Sequence, residues 1–149
     1  MHGQTIQLPA WIPWAALLLI GGPALIRGGW LERTVATVII LACLAARAVD
    51  LHGWLQLEWG VFIVDVVTWG ALLAVALRSD RYWPLCVAAF QMLNVMTHVA
   101  RIADPQFTPW AYATAQVIWT YLMILTLGYA AWRRILLQQR ARRADQASP

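Results

Sequence analysis

The segment that decides the fold is Tyr82–Asp104, with the sequence YWPLCVAAFQMLNVMTHVARIAD. It is long and apolar enough to cross a lipid bilayer as a helix, which takes about 20 residues. It also carries four polar side chains at spacings of 3, 4 and 3 residues: Gln91, Asn94, His98 and Arg101. Such spacings place side chains on one face of a helix. Because lipid cannot satisfy polar groups, the sequence predicts that this face meets other protein or a water-filled cavity.

The composition of the whole chain favours a membrane protein. Of the 149 residues, 61% are apolar and 12% are charged, whereas soluble domains are about half apolar and a quarter charged. The ten Trp residues fit the same interpretation, since indole rings favour the headgroup region. All eleven basic residues are Arg, and most of them flank apolar blocks. This pattern is typical of a topology signal, so we predict the lipid bilayer, and no nucleic acid, as a partner.

Five apolar blocks follow one another along the chain, separated by short connections. Their approximate bounds are 9–26, 32–51, 58–77, 82–103 and 109–132. The sequence therefore predicts an all-α bundle of five transmembrane helices in one domain, residues 1–132, followed by a basic cytoplasmic tail, residues 133–149. No charged leader and no convincing cleavage site accompany the first block, so we expect it to be retained as a helix.

The arginines indicate which way the helices face. Nine of the eleven lie in the first connection, in the third connection and in the tail, and only Arg47 and Arg101 lie on the other side. Cytoplasmic loops carry the basic excess. We therefore expect the C-terminus inside the cell and, with five spans, the N-terminus outside, in the inner membrane of a bacterium.

Polar side chains of several helices fall at similar depths in the outer half of the bilayer. Asp65, Asn94 and Gln116 each lie about 10 Å below the predicted outer surface, at a rise of about 1.5 Å per residue. We predict a polar pocket that opens to the exterior and is closed below by an apolar half. The residues of this predicted ligand-binding or polar cluster are Arg47, Asp65, Gln91, Asn94, His98, Arg101 and Gln116.

Two roles are open for Asp65, because a charge in the middle of a membrane costs about 3 kcal/mol on insertion scales. It either pairs with Arg47 or Arg101 and holds the bundle together, or it titrates or binds a ligand. Two roles are also open for His98. It either forms a hydrogen bond to Asp65, Asn94 or a backbone carbonyl, or it binds a cofactor, namely haem, a pigment or a quinone.

The sequence contains no motif for haem binding by two histidines, for a metal centre or for the common catalytic and nucleotide-binding sites. A haem held by two histidines would need His52 as its second ligand, and no spacing supports that arrangement. A zinc or di-iron centre needs three or more ligands in register, and His98, His52, Glu58 and Asp65 do not provide such a register, so we predict no metal site. No GxSxG, HExxH, P-loop or dinucleotide fingerprint occurs.

The stretch Arg78–Arg101 contains RSDRYWPL, followed by FQ and then by THVAR. In these features it resembles small uncharacterised multi-span membrane proteins of proteobacteria, over roughly the last three blocks. The resemblance implies a bacterial membrane and no particular activity.

Three functions fit these observations. The favoured one is a non-enzymatic membrane protein: an accessory subunit, or a lipid-, quinone- or pigment-binding component of a larger complex or homo-oligomer. The second is a small proton-linked transporter or channel that uses Asp65 and His98. The third is a membrane-embedded enzyme that acts on a lipid of the outer leaflet with Asp65, His98 and Arg101, in which Arg101 holds a phosphate.

Overall fold

The computed structural model describes residues 11–49, 59–104, 106 and 108–146. Within these residues the regular structure consists of α-helices. They are α1 (Trp11–Arg27), α2 (Trp30–Val49), α3 (Trp59–Leu77), α4 (Trp83–Ala103) and α5 (Pro109–Gln146). The prediction of an all-α fold with five helices is confirmed. His52 and Glu58, which were considered above as haem or metal ligands, lie outside the described residues.

Three of the five helices are long and apolar enough to cross a membrane, namely α3, α4 and α5. The sequence predicted five such helices. The remaining two, α1 and α2, do not meet this description, for separate reasons. α1 has only 17 residues. α2 carries Glu32, Arg33 and Arg47, and charged side chains oppose insertion into lipid. Within the described residues, three helices therefore meet the length and composition that a membrane span requires, and α1 and α2 do not.

α5 is much longer than the fifth predicted block. It continues from about residue 132 to Gln146 and has 38 residues, which corresponds to about 57 Å at the rise of an α-helix. No Gly or Pro lies between Tyr129 and Ser148, and the segment is rich in Arg, Gln, Leu and Ala, which favour helices. The start of the predicted tail is therefore a helix that projects well past the roughly 30 Å of a hydrocarbon core.

The helices are arranged as a closed ring. Each helix packs against the next one along the chain, α5 returns to α1, and α2 also reaches α5. The connections between α1 and α2 and between α3 and α4 lie at the same end of this ring, because Glu32 of α2 contacts Arg81 of the connection between α3 and α4. We call this end the arginine-rich end. Its arginines are Arg27, Arg33, Arg78, Arg81, Arg133 and Arg134.

The apolar core occupies the half of the bundle next to the arginine-rich end. Each of the five helices contributes one buried alanine to it. These alanines are Ala24, Ala36, Ala76, Ala88 and Ala131. Small residues let helices approach closely, and Leu72, Val87 and Ile124 fill the remaining space. This packing leaves the other half of the bundle for the polar side chains.

Candidate functional site

A buried carboxylate, that of Asp65 in α3, is the centre of the polar side chains. Gln91 donates a hydrogen bond of 2.9 Å to Asp65 Oδ1, and Asn94 donates one of 3.0 Å to Asp65 Oδ2. His98 Nε2 lies 2.8 Å from the same Oδ2. These three partners share one face of α4 because they are spaced 3 and 4 residues apart. Side chains of a single neighbouring helix therefore hold both oxygens of the carboxylate.

α5 adds two side chains, spaced four residues apart, which both contact His98. Tyr112 Oη lies 2.8 Å from His98 Nδ1. The side-chain amide nitrogen of Gln116 lies 2.8 Å from His98 Nε2. We call the whole set the Asp65 network. Its members are Asp65, Gln91, Asn94, His98, Tyr112 and Gln116. The Asp65 network thus joins α3, α4 and α5.

The contacts of His98 admit two arrangements of hydrogens. In the first, Nε2–H donates to an ionised Asp65, Tyr112 donates to Nδ1, and Gln116 turns its amide oxygen toward Nε2 because two N–H groups repel. In the second, Asp65 is protonated, Nδ1–H donates to Tyr112, and the single lone pair of Nε2 accepts from Asp65. The two arrangements differ by one proton and by the tautomer of His98. The tautomer of His98 therefore decides which groups of the Asp65 network donate and which accept.

The members of the Asp65 network are packed side chains. His98 is 0% exposed, and even Asp65, the most exposed member, is only 9% exposed. The ring centroids of Phe62 and Tyr112 lie 5.6 and 5.5 Å from that of His98. Burial of polar groups costs free energy unless they are hydrogen-bonded. The mutual hydrogen bonds of these side chains offset that cost. The side chains that the sequence predicted to line a polar pocket are thus packed against one another.

One acceptor of the Asp65 network has no donor within the described part of the chain: the buried Oδ1 of Asn94. An unsatisfied buried acceptor costs about 1–3 kcal/mol. Asn94 Oδ1 therefore has unused hydrogen-bonding capacity in a buried position.

Most of the predicted site residues meet in the Asp65 network. Those that do are Asp65, Gln91, Asn94, His98 and Gln116. The other two are Arg47, exposed in the last turn of α2, and Arg101, half-buried in the last turn of α4. A pairing of Asp65 with either arginine stays a prediction. Tyr112 was not among the predicted site residues, although its spacing of four from Gln116 was a usable signal.

Cofactor binding at His98 would require a rearrangement. Both ring nitrogens face protein partners, so a haem iron, a pigment metal or another ion would displace Asp65 or Tyr112. Among the residues that the structure describes, no three His, Cys, Asp or Glu side chains are grouped to hold a metal.

A second buried carboxylate, that of Glu32, lies at the arginine-rich end. It is 0% exposed, and its Oε2 accepts a hydrogen bond of 2.9 Å from the Gly29 backbone. Arg134 Nη1 lies 3.5 Å from Oε2, and Arg81 Nη1 lies 3.8 Å from Oε1. We call these four residues the Glu32 cluster. They join the start of α2, the connection between α3 and α4, and α5.

The Glu32 cluster was missed by sequence reasoning, which expected an almost wholly apolar inner half. A usable local signal was present, because Glu32 follows Gly29 by three residues. That spacing lets a helix-start carboxylate reach back to the backbone N–H before the helix. The contacts with Arg81 and Arg134 had no such signal, because they join residues far apart in the chain.

The fold and the two carboxylate sites define a class of protein: an all-helical bundle with three candidate membrane-spanning helices and buried polar networks at both ends. No protein-family model matches the chain, and comparisons with curated proteins and with solved structures found no significant similarity. Its function must therefore be inferred from its own residues.

Proposed function

We propose that the protein is a non-enzymatic integral membrane protein, an accessory and ligand-binding component of a larger membrane complex. The observation that carries this proposal is its inverted polarity. Large apolar side chains such as Leu18, Val67 and Leu125 are exposed, whereas Asp65, His98 and other polar side chains are buried. Lipid favours this distribution, since a bilayer solvates apolar side chains and leaves polar groups to satisfy one another.

In this proposal all five helices cross the membrane. The charged residues of α2 support it by their position: Glu32 and Arg33 lie in its first turn and Arg47 in its last, so the segment between them is uncharged. α1 contains no charged residue before Arg27 and spans about 25 Å over its 17 residues. Packing of α1 against α5, and of α2 against α3 and α5, supplies the remaining support.

The proposed orientation places the arginine-rich end and the C-terminus in the cytoplasm and the N-terminus outside. The excess of arginine at one end supports it, as does the projection of α5 beyond the bundle on that side. The proposed location is the inner membrane of a bacterium.

A non-enzymatic role is supported by the state of the reactive side chains. The carboxylate of Asp65 and the imidazole of His98 face each other and the four further polar side chains of the network, and all are buried. Such a network stabilises helix contacts. The ligand proposed for the complex is a lipid, a quinol or quinone, or a pigment, with Asn94 Oδ1 as the acceptor for a ligand hydroxyl.

Two experiments test the proposal. Single cysteines from Thr5→Cys, Ser79→Cys and Ser148→Cys, in a Cys43→Ala/Cys86→Ala background, are labelled with an impermeant maleimide. We expect labelling from outside at position 5 and only after lysis at 79 and 148; labelling of 5 and 148 from the same side overturns the five-span topology.

The second experiment is extraction into polymer nanodiscs, followed by absorption spectroscopy and mass analysis. We expect a co-purifying partner, quinone, pigment or lipid. A colourless, monodisperse monomer that retains none of these overturns the accessory role.

A second candidate function, a proton-linked transporter or channel, is favoured by one observation. Asp65, His98 and Tyr112 form a continuous chain of contacts through both nitrogens of the imidazole. The apolar core below the chain, with Leu72 and Ile124, opposes a conducting path through one monomer. Proton flux into proteoliposomes that is lost in Asp65→Asn, and kept in Asp145→Asn, would favour this function over the accessory role.

A further inference from the structure

The projecting part of α5 has one side that combines three polar side chains with an apolar one. Gln139, Arg140 and Arg143 follow Leu136 by three, four and seven residues. These spacings place all four on one side of a helix, where they line a notch of about 270 Å³. The three polar side chains are exposed, and Leu136 is half-buried. We call these four residues the Leu136 face.

The Leu136 face points away from the helix bundle. Arg134 contacts the buried carboxylate of Glu32 and so marks the side of α5 that faces the other helices. Arg143 follows Arg134 by nine residues, which is about two and a half turns and places the two side chains on opposite sides of the helix. Every residue from 137 to 143 is exposed. The Leu136 face is therefore open to a partner that approaches α5 from outside the bundle.

The positive charge of the Leu136 face is not neutralised by the segment that carries it. Residues 133–149 include five arginines and a single acidic residue, Asp145. Asp145 follows Arg140 by five residues and Arg143 by two, so it lies about 140° and about 160° around the helix from them. Among the residues that the structure describes, no carboxylate forms a salt bridge with either arginine. Both guanidinium groups are therefore available to an acidic partner.

Distance from the membrane favours a protein partner over lipid. Trp132 is exposed at the end of the apolar part of α5, and indole rings favour the headgroup region. At a rise of about 1.5 Å per residue, Arg140 lies about 12 Å and Arg143 about 16 Å further along the helix axis. The attraction of an anionic lipid surface falls off within about 8 Å at physiological ionic strength. The Leu136 face is therefore better placed to meet a cytoplasmic protein than the lipid headgroups.

We propose that the Leu136 face docks an acidic amphipathic helix from a cytoplasmic part of the partner complex. Carboxylates of that helix bind Arg140 and Arg143, since guanidinium groups match carboxylates with paired hydrogen bonds. An apolar side chain of the same helix packs on Leu136, in the pattern of spacings by which helices recognise one another. This apolar contact favours a protein over nucleic acid, whose sugar–phosphate backbone offers no apolar side chain. The inference rests on the proposed accessory role and on the cytoplasmic position of the C-terminus.

The test is a titration of the full-length protein in phosphatidylcholine nanodiscs with a fluorescent helical peptide of about 15 residues, followed by fluorescence anisotropy. The peptide carries leucine and glutamate on one side, and its control has glutamine in place of each glutamate. We expect the wild type to bind the acidic peptide about tenfold more tightly than the control peptide. Arg140→Gln/Arg143→Gln should weaken this binding by about tenfold. The matched control, Arg78→Gln/Arg142→Gln, removes the same charge from positions outside the Leu136 face and should change the affinity by less than about twofold.

A second pair of variants tests the apolar contact. Leu136→Ser should weaken binding of the acidic peptide by about fivefold, because it removes the side chain on which the peptide leucine packs. Leu137→Ser is the matched control, since it makes the same change in helix propensity at the next residue, about 100° around the helix. We expect Leu137→Ser to leave the affinity unchanged, and an equal affinity of the two serine variants overturns the apolar contact.

Three further outcomes overturn the docking of an acidic helix: equal affinity of the wild type for both peptides, equal losses in the two double arginine variants, and tighter binding to phosphatidylglycerol vesicles or to an RNA oligonucleotide than to the acidic peptide. The last would assign Arg140 and Arg143 to lipid or to nucleic acid. The labelling and extraction experiments distinguish these failures from failure of the proposed function. Labelling of position 148 only after lysis and a co-purifying partner, together with equal affinity for both peptides, reject the docking of an acidic helix alone.

Discussion

Arg134 lies 102 residues after Glu32 in the chain, yet its Nη1 is 3.5 Å from Glu32 Oε2. This contact ties the start of α2 to α5 across the ring of helices. Arg81 approaches the other oxygen from the connection between α3 and α4. A buried carboxylate between two cations thus fastens three separate parts of the chain at the arginine-rich end.

We expect Glu32→Gln to lower the free energy of unfolding by about 1–2 kcal/mol. The glutamine can still accept from Gly29, but it leaves two arginines without their counter-ion. Arg81 and Arg134 are partly exposed, so water screens them and keeps the loss below the value for a fully buried pair. Thermal unfolding in detergent, followed by circular dichroism, measures the effect. Asp145→Asn, at an exposed carboxylate, is the control, and an equal melting temperature for both variants would contradict the prediction.

The Asp65–His98 contact should show energetic coupling. We expect Asp65→Asn and His98→Gln each to destabilise the protein, because each leaves buried polar partners unsatisfied. The double variant should lose less than the sum of the two, by about 1–3 kcal/mol. A double-mutant cycle in detergent measures this coupling. The same cycle between Asp65 and Thr126, which bonds within its own helix, should give additive effects.

Tyr112→Phe should change the hydrogen bonding of His98 while leaving the fold intact. The substitution removes one hydrogen bond at His98 Nδ1 and keeps the ring beside the imidazole. We expect a loss of stability of about 1 kcal/mol and a shift of the Nδ1 resonance in ¹⁵N NMR of histidine-labelled protein. Tyr129→Phe, at an exposed tyrosine, should change neither quantity. An unchanged His98 spectrum in Tyr112→Phe would disprove the contact.

Two glycines should respond in opposite directions to alanine. A Cβ at Gly29 would collide with the guanidinium of Arg134, whereas a Cβ at Gly70 meets nothing. Gly29→Ala should therefore lower the melting temperature by disturbing the Glu32 cluster. Gly70→Ala should raise the free energy of unfolding by up to about 1 kcal/mol, since alanine favours the helix interior. Destabilisation of equal size by both substitutions would show that Arg134 does not depend on Gly29.

The polar face of α4 was visible in the sequence because helical periodicity is a local property. Gln91, Asn94 and His98 recur at helical spacing, and a polar face on an apolar helix must find partners. That argument also led to Asp65, by depth alone. Depth alone could not decide whether the Asp65 carboxylate is bound by an arginine or by the amide and imidazole side chains of α4. The depth of a residue along its helix does not show which helix faces are in contact.

The sequence by itself determined the number and the order of the helices, and that each helix carries a largely apolar surface. These properties follow from composition and from the spacing of residues that are close together in the chain. Only the tertiary structure decided that α5 closes the ring against α1, that Tyr112 completes the contacts of His98, and that Glu32 lies between Arg81 and Arg134. Those contacts depend on how helices that are distant in the chain are rotated and packed against one another, and no local pattern encodes that rotation.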